Sequence, residues 1–133
     1  MFSKSNKPNN RIDSLIGAGT IIKGDITFSG GLRIDGEVHG NVSVAAEASG
    51  TLVLSEHARI EGAVNVPNLV VNGMVNGPIC STEFIELQSH ARVTGDVEYR
   101  TIEMQLGAVV QGRLIYQDEM AVRAVELKLA SGH

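Results

Sequence analysis

A phrase of five residues recurs along this chain: an aliphatic residue, any residue, glycine, any residue, and a second aliphatic residue. Successive copies begin 16, 22, 15, 18 and 17 positions apart. A regular period of this length is typical of a solenoid in which each repeat forms one structural unit. The six copies occupy residues 22–26, 38–42, 60–64, 75–79, 93–97 and 110–114.

Shorter apolar segments with alternating side chains also recur once per repeat, at residues 52–54, 69–71, 85–87 and 102–104. Alternation over a few residues is typical of β-strands. Three short faces would close one coil of a parallel β-helix. Coils stacked about 4.8 Å apart would pair each strand with its copies above and below, so that equivalent side chains form columns.

The composition favours the same architecture. Val and Ile together number 26 against 10 Leu, and β-branched side chains suit pleated strands better than helices. Only 5 residues are aromatic and none is Trp, which fits a narrow core that has little room for rings. The 15 glycines indicate many tight corners. We therefore predict an all-β, single-domain parallel β-helix with a triangular aliphatic core and short flexible tails.

The corners differ in length between repeats. Residues 35–36 and 72–73 form two-residue corners, whereas residues 55–58 and 88–91 are two residues longer at the same place. A strict left-handed hexapeptide helix would not tolerate this variation freely, so we predict a right-handed helix of about six coils, roughly 29 Å long at 4.8 Å per coil. We assign residues 12–117 to this domain and residues 1–11 to a disordered tail. We expect residues 118–133 to form an extension that begins as helix or strand and ends disordered.

Charge and cysteine content exclude several classes of function. The net charge is −4 and the basic residues beyond the N-terminal stretch are interspersed with acidic ones, which argues against a nucleic-acid partner. The single cysteine, Cys80, permits no intrachain disulfide or thiolate cluster, and we expect it to be buried. No apolar run approaches the roughly 18 residues of a spanning helix, and residues 1–11 lack the apolar centre of a secretory signal, so we expect a cytoplasmic protein.

The ends of such a rod need a cover or a partner. Each terminal coil would present unpaired N–H and C=O groups around the open cross-section of the aliphatic core. An uncovered end would be a template for a coil of another copy, so end-to-end stacking of monomers would follow.

Three segments of the chain carry a family resemblance: DSLIG at 13–17, ITFSGGLRIDGEVHGNV at 26–42 and ARVTGDV at 91–97. They resemble the bactofilins, a family of bacterial polymer-forming cytoskeletal proteins. The resemblance implies a right-handed β-helix that polymerises without nucleotide into filaments, joined head-to-head and tail-to-tail. It also implies a scaffold at the inner face of the cytoplasmic membrane that recruits cell-wall synthesis or hydrolysis enzymes and influences cell shape.

The resemblance further implies where the polymer contacts lie. In the family, a hydrophobic position in the last coil supports assembly, and here that segment contains Val109, Val110 and Leu114. One of the two valines should point inward and the other outward, because side chains alternate along a strand. At the other end we expect the opposing contact at Leu15, Ile16 and Ile21.

The N-terminal tail is similar to the membrane-binding segments of the family. It contains Met1, Phe2, Ser3, Lys4 and Lys7. Met1 and Phe2 would form an apolar wedge, and each basic side chain near anionic lipid would contribute about 1 kcal/mol. Such a weak anchor would act through the many copies that a filament presents.

Catalytic chemistry finds little support in the sequence, and we predict neither a catalytic residue, a cofactor nor a metal site. His57 and His90 occupy equivalent corners two coils apart, which is too far for one metal ion. The main alternative is a hexapeptide-type acyltransferase, a trimer with a histidine between subunits, for which His57 or His90 would be the residue to test. A secreted adhesin or ice-binding solenoid is disfavoured, because a secretory signal and a repeated Thr column are both missing.

Overall fold

The computed structural model describes residues 11–118, which contain strands and turns but no helix. The strands are β1 (Ser14–Ile16), β2 (Ile21–Lys23), β3 (Ile26–Phe28), β4 (Gly30–Ile34), β5 (Glu37–His39), β6 (Val42–Val44), β7 (Gly50–Leu54), β8 (Arg59–Glu61), β9 (Val64–Val71), β10 (Met74–Asn76), β11 (Ile79–Leu87), β12 (Arg92–Thr94), β13 (Val97–Tyr99), β14 (Ile102–Met104), β15 (Val109–Gln111) and β16 (Leu114–Tyr116). All pairings between these strands are parallel. The predicted all-β class is confirmed.

The described chain winds through six coils, each with three faces. Face 1 consists of β1, β4, β7, the second halves of β9 and β11, and β14. Face 2 consists of β2, β5, β8, β10, β12 and β15. Face 3 consists of β3, β6, the first halves of β9 and β11, β13 and β16. The predicted number of coils and the triangular cross-section are confirmed.

Inward-facing side chains form aliphatic columns along the rod. On face 2 the strand register aligns the first aliphatic residue of every repeated phrase: Ile22, Val38, Ile60, Val75, Val93 and Val110. On face 1 the same kind of column contains Leu32, Leu52, Leu69 and Ile85. In coils 2 to 5 these side chains are almost completely buried, so the core is a set of stacked Val, Ile and Leu ladders.

Glycine occupies the corner between faces 2 and 3, called corner B, in every coil. The six members are Gly24, Gly40, Gly62, Gly77, Gly95 and Gly112. A Cβ on Gly62 would lie 2.1 Å from the carbonyl oxygen of Gly40 in the preceding coil, and Gly62 has a φ of 156°. The equivalent distance is between 2.1 and 2.6 Å at each later position in the column. The backbones of neighbouring coils therefore approach too closely at corner B for any side chain.

The residue after the corner B glycine adds a second link between coils. In three places its side-chain oxygen accepts a hydrogen bond of 2.8–3.0 Å from a backbone N–H one coil further on: Asp25 from Asn41, Asn41 from Ala63, and Asp96 from Arg113. The ladder is interrupted where Ala63 provides no acceptor and Pro78, in the next coil, has no N–H to donate. The two exceptions coincide, because Pro78, which has no N–H, stacks directly on Ala63, which has no side-chain acceptor.

Corner A, between faces 1 and 2, alternates between wide and narrow turns in coils 1 to 5. The wide turns are residues 17–20, 55–58, 88–91 and, in coil 6, 105–108; the narrow turns are residues 35–36 and 72–73. In each wide turn the N–H of the fourth residue donates to the carbonyl of the first, at 2.9–3.2 Å. The narrow turns nest against the wide ones, because a Cβ on Gly73 would lie 2.4 Å from the Ser55 carbonyl oxygen. The wide turns of coils 1 and 6 were not among the corners predicted from the sequence.

The expectation that Cys80 is buried in the core is wrong. Ile79 is the first residue of face 3 in its coil, so alternation directs Ile79 and Ser81 inward and turns Cys80 outward, where it is half-buried. The Ser81 hydroxyl donates to the Pro67 carbonyl at 2.9 Å, which satisfies this polar group inside the coil. Partial burial and the nearby charge of Glu98 raise the pKa of the Cys80 thiol.

Replacing Gly62 with Ala tests the corner B column. The added methyl group must displace the Gly40 carbonyl, so we expect the free energy of unfolding to fall by about 2 kcal/mol or more. Urea unfolding followed by circular dichroism measures this change. The matched control is Gly17→Ala, because no atom lies within 4 Å of a Cβ at that position. Equal stability of the two variants would contradict the role assigned to the column.

Candidate functional site at the two ends of the solenoid

The terminal coils present open strand edges. Within residues 11–118, β1, β2 and β3 each pair only with the strand of coil 2, and β14, β15 and β16 each pair only with the strand of coil 5. All strands between them are paired on both sides. Each end of the described solenoid therefore offers three edges whose outer N–H and C=O groups can pair with another chain.

The C-terminal end exposes the last layer of the core columns. The strand register aligns Ile102 with Ile85, Met104 with Leu87, Val110 with Val93, Leu114 with Val97, and Tyr116 with Tyr99. The coil 5 aliphatic members of these pairs are buried, whereas Met104, Leu114 and Tyr116 are exposed. The Tyr116 ring packs on Tyr99 with 5.9 Å between ring centroids, but Tyr116 stays 62% exposed. The described part of this end is therefore a largely apolar cross-section.

The N-terminal end has the same construction with different residues. The register aligns Ile16 with Ile34, Ile22 with Val38, Ile26 with Val42, and Phe28 with Val44. The coil 1 members are only partly buried and pack against the core from one side. Ile12 adds an exposed apolar side chain just before β1. Both ends therefore combine unpaired strand edges with aliphatic side chains that lack a second layer among the described residues.

The six residues predicted for the polymer contacts divide into two groups. Ile16, Val110 and Leu114 align with core columns and belong to the end cross-sections. Leu15, Ile21 and Val109 point outward and lie on the flanks of the terminal coils, aligned with Arg33, Glu37 and Arg92. Leu15 is 59% exposed and Ile21 56% exposed. Val110 is thus the inward member of the valine pair and Val109 the outward one.

Sequence reasoning missed three exposed apolar residues of the C-terminal end. Met104 could have been found, because residues 102–104 repeat the pattern of residues 85–87 and Met104 therefore follows Leu87. Tyr116 follows Tyr99 by the same logic. Leu106 lies in the wide turn of coil 6 and is 96% exposed. Its position is not evident without knowing that residues 105–108 form a wide turn.

Charged groups near both ends are paired within the chain. Near the N-terminal end, Asp13 accepts hydrogen bonds from the Gly31 N–H at 2.9 Å and from Arg11 Nε at 3.1 Å. The Gly31 N–H, and after it the charge of Arg11, lower the pKa of Asp13. Near the C-terminal end, Asp96 accepts from the side chain of Arg113 at 2.9 Å and from its N–H at 3.0 Å, which lowers the pKa of Asp96 and raises that of Arg113.

The histidines of the described chain lie in coils 2, 3 and 5, outside the two terminal coils. His57 and His90 lie in the wide corner A turns of coils 3 and 5, and both are exposed. His39 lies on face 2 with Nε2 at 3.2 Å from Glu37 Oε1. Across residues 11–118, no group of three His, Cys, Asp or Glu side chains is placed to hold a metal ion.

The predicted membrane-binding residues Met1, Phe2, Ser3, Lys4 and Lys7 lie outside the described residues, as does nearly all of the predicted extension 118–133. The structure therefore does not bear on either assignment. No helix in the described part of the chain is long and apolar enough to cross a bilayer.

Comparison with known proteins gave one family and two curated relatives. A family model described as "Bactofilin: Polymer-forming cytoskeletal" matches residues 14–115. Two proteins of Myxococcus xanthus (strain DK1622) are similar over 102 residues, or 77% of this chain: bactofilin BacP at 29% identity and bactofilin BacO at 28%. The matched region spans 41% of BacP and 78% of BacO. No solved structure gives a significant match.

The Asp96–Arg113 contact makes stability depend on pH in a defined direction. Because the pKa of Asp96 is lowered by folding, its contribution is complete above its ordinary value of 3.8 and is lost as the pH falls through the lowered value. Asp96→Asn keeps an acceptor for the Arg113 N–H but removes the charge. We expect wild type to have the higher urea midpoint at about pH 6 and this advantage to vanish near about pH 2. A constant difference across this range would contradict the assignment.

Proposed function

Because the chain belongs to the bactofilin family of polymer-forming cytoskeletal proteins, we propose that it assembles end to end, without nucleotide, into apolar filaments. The observation that carries this proposal is the combination of three open strand edges with an apolar cross-section at each end of the described solenoid. An incoming coil would pair the edge groups and cover the exposed side chains in one step. Both contributions favour growth along the solenoid axis.

Contacts between like ends would give the filament no overall direction. The two ends carry different side chains, with Met104, Leu114 and Tyr116 at one and Ile16 and Phe28 at the other. A junction of two C-terminal ends is isologous, so each exposed side chain meets a symmetry-related set. Val110 lies within this cross-section and Val109 at its rim, whereas Leu15 and Ile21 would contribute at the rim of the junction between two N-terminal ends.

We further propose that the filaments lie at the inner face of the cytoplasmic membrane and act as a scaffold for cell-shape or cell-wall proteins. The N-terminal residues Met1, Phe2, Lys4 and Lys7 provide the membrane contact in this proposal. The binding energy of one tail is small, and a filament multiplies it because many tails meet the bilayer together. The role is structural and not enzymatic. The match to a polymer-forming cytoskeletal family favours this role over the acyltransferase alternative.

Electron microscopy of the purified protein, with no nucleotide, metal or lipid added, tests the assembly proposal. We expect thin filaments with an axial repeat near twice the length of one solenoid. The variant Val110→Arg places a charge in the C-terminal cross-section, and we expect the concentration needed for assembly to rise about tenfold or more. Gln111→Arg, on the same strand but pointing outward, is the matched control. Wild-type-like filaments from Val110→Arg would contradict the proposed C-terminal contact, and discrete trimers of wild type would contradict the filament itself.

Deleting residues 2–8 tests the membrane contact separately. We expect the shortened protein to form filaments as the full chain does but to lose co-sedimentation with anionic liposomes. Liposomes without anionic lipid are the control for the electrostatic part of the contact. Undiminished sedimentation of the shortened protein would remove the tail from the proposal.

A further inference from the structure

Face 2 carries a charge pattern on its outer surface that the end contacts do not use. In coil 2 the outward residues are Glu37 and His39, and in coil 3 they are Arg59 and Glu61. The parallel register places Arg59 beside Glu37 and Glu61 beside His39. Along each strand, His39 Nε2 lies 3.2 Å from Glu37 Oε1, and Arg59 Nε lies 3.1 Å from Glu61 Oε2. We call these four residues the face 2 checkerboard, because donors and carboxylates alternate in both directions.

The coils on either side of the checkerboard are less polar in one column. In coil 1 the outward residues of face 2 are Ile21 and Lys23, and in coil 4 they are Met74 and Asn76. Ile21 and Met74 share a column with Glu37 and Arg59. From coil 1 to coil 4, the first column is therefore apolar at its two ends with Glu37 and Arg59 between them. The second column, which contains Lys23, His39, Glu61 and Asn76, is polar throughout.

We propose that face 2 is a self-association surface on which a second copy of this chain packs antiparallel, about a twofold axis parallel to the strands between coils 2 and 3. This rotation places coil 2 of one copy opposite coil 3 of the other, and coil 1 opposite coil 4. Each residue therefore faces a residue from the same column of the second copy. Glu37 then faces Arg59 of the second copy, and Arg59 faces Glu37. His39 faces Glu61, and Ile21 meets Met74. Opposite charges and apolar side chains are matched by one symmetry operation.

Parallel packing about an axis along the solenoid fits less well. That rotation exchanges the two columns within every coil, so Ile21 would face Lys23 of the second copy and Met74 would face Asn76. Glu37 would then face His39, and Arg59 would face Glu61, so donors would still meet carboxylates. Both apolar residues, however, would lie against polar ones. The charge pattern alone permits either arrangement, and the apolar residues favour the antiparallel one.

The contact is too small to hold two single solenoids together. Four strands of three residues cover roughly 190 Å², at about 4.8 Å between strands and 3.3 Å per residue, whereas a stable interface buries about 800 Å² per partner. Repetition along a filament would multiply the contact. Lateral pairing therefore rests on the proposed end-to-end assembly, and it makes pairs or bundles of filaments rather than isolated dimers.

Charge reversal on the checkerboard is the central experiment. Wild-type filaments should pair at low ionic strength and separate as salt screens the contacts. Glu37→Arg and Arg59→Glu should each reduce the paired fraction about tenfold or more, because each places like charges opposite one another. The double variant restores opposite charges and should restore pairing. Negative-stain images and low-speed sedimentation measure the paired fraction.

This set of variants separates the effect of the checkerboard on pairing from the effect of net charge. The two single variants change the net charge in opposite directions, so a net-charge effect would weaken pairing in one and strengthen it in the other. Glu56→Lys, on the neighbouring corner A turn of coil 3, matches the charge change of Glu37→Arg and should leave pairing intact. Single, salt-insensitive wild-type filaments, or a double variant that remains unpaired, would overturn the inference. Absence of filaments in every variant and in wild type would instead overturn the proposed end-to-end assembly.

Disulfide mapping tests the orientation even without filaments. In a Cys80→Ser background, chains with His39→Cys are mixed with chains with Glu61→Cys at high protein concentration and oxidised. Random collision in an equimolar mixture gives about twice as much mixed disulfide as either homodimer, so antiparallel packing predicts a mixed product well above this ratio. A mixed product at or below twice either homodimer would overturn the antiparallel register.

Discussion

Stacking of coils at the spacing of hydrogen-bonded β-strands is the constraint on which the rest of this structure depends. In the interior of the solenoid each strand pairs with strands of the coils before and after it, so equivalent residues lie directly over one another. Aliphatic side chains then form ladders, and large rings have little room. At corner B the same spacing brings the Gly40 carbonyl within 2.1 Å of any Cβ at position 62, so only glycine is accepted.

The same constraint explains what could be predicted from the sequence. The repeated phrase carries one face 2 strand, the corner B glycine and the start of face 3, so the number of coils and the inward positions follow from its spacing. Corner A lacks such a signature, because residues 105–108 contain a wide turn without resembling residues 55–58. The outward direction of Cys80 also follows from the phrase, because Ile79 is its second aliphatic residue and side chains alternate along the strand. The prediction of a buried Cys80 rested on the residue type and not on this register.

The residues of the candidate site could also be predicted from the sequence only in part. The hydrophobic residues of the terminal coils can be recognised, and alternation separates Val109 from Val110. To know which neighbouring side chains remain uncovered, one needs the strand register, as Met104 and Tyr116 show.

The two ends and face 2 are different kinds of surface. The ends combine open backbone edges with apolar side chains, whereas the backbone of face 2 is paired and only its side chains are available. The proposed contacts would therefore be strong along the axis and weak and salt-sensitive across it.

Over coils 1 to 5 the alternation at corner A gives the solenoid a structural unit of two coils, although the sequence repeats once per coil. A narrow turn such as Asn72–Gly73 nests against the carbonyls of the wide turn before it, and a wide turn follows. A wide turn can stack on another wide turn, as in coils 5 and 6, but deleting coil 3 would stack the two narrow turns and remove the wide turn against which residues 72–73 nest. Removal or duplication of a pair of coils would preserve the nesting. Over evolution, or in redesign, the alternating part of such a rod is therefore expected to change its length most readily in steps of two coils.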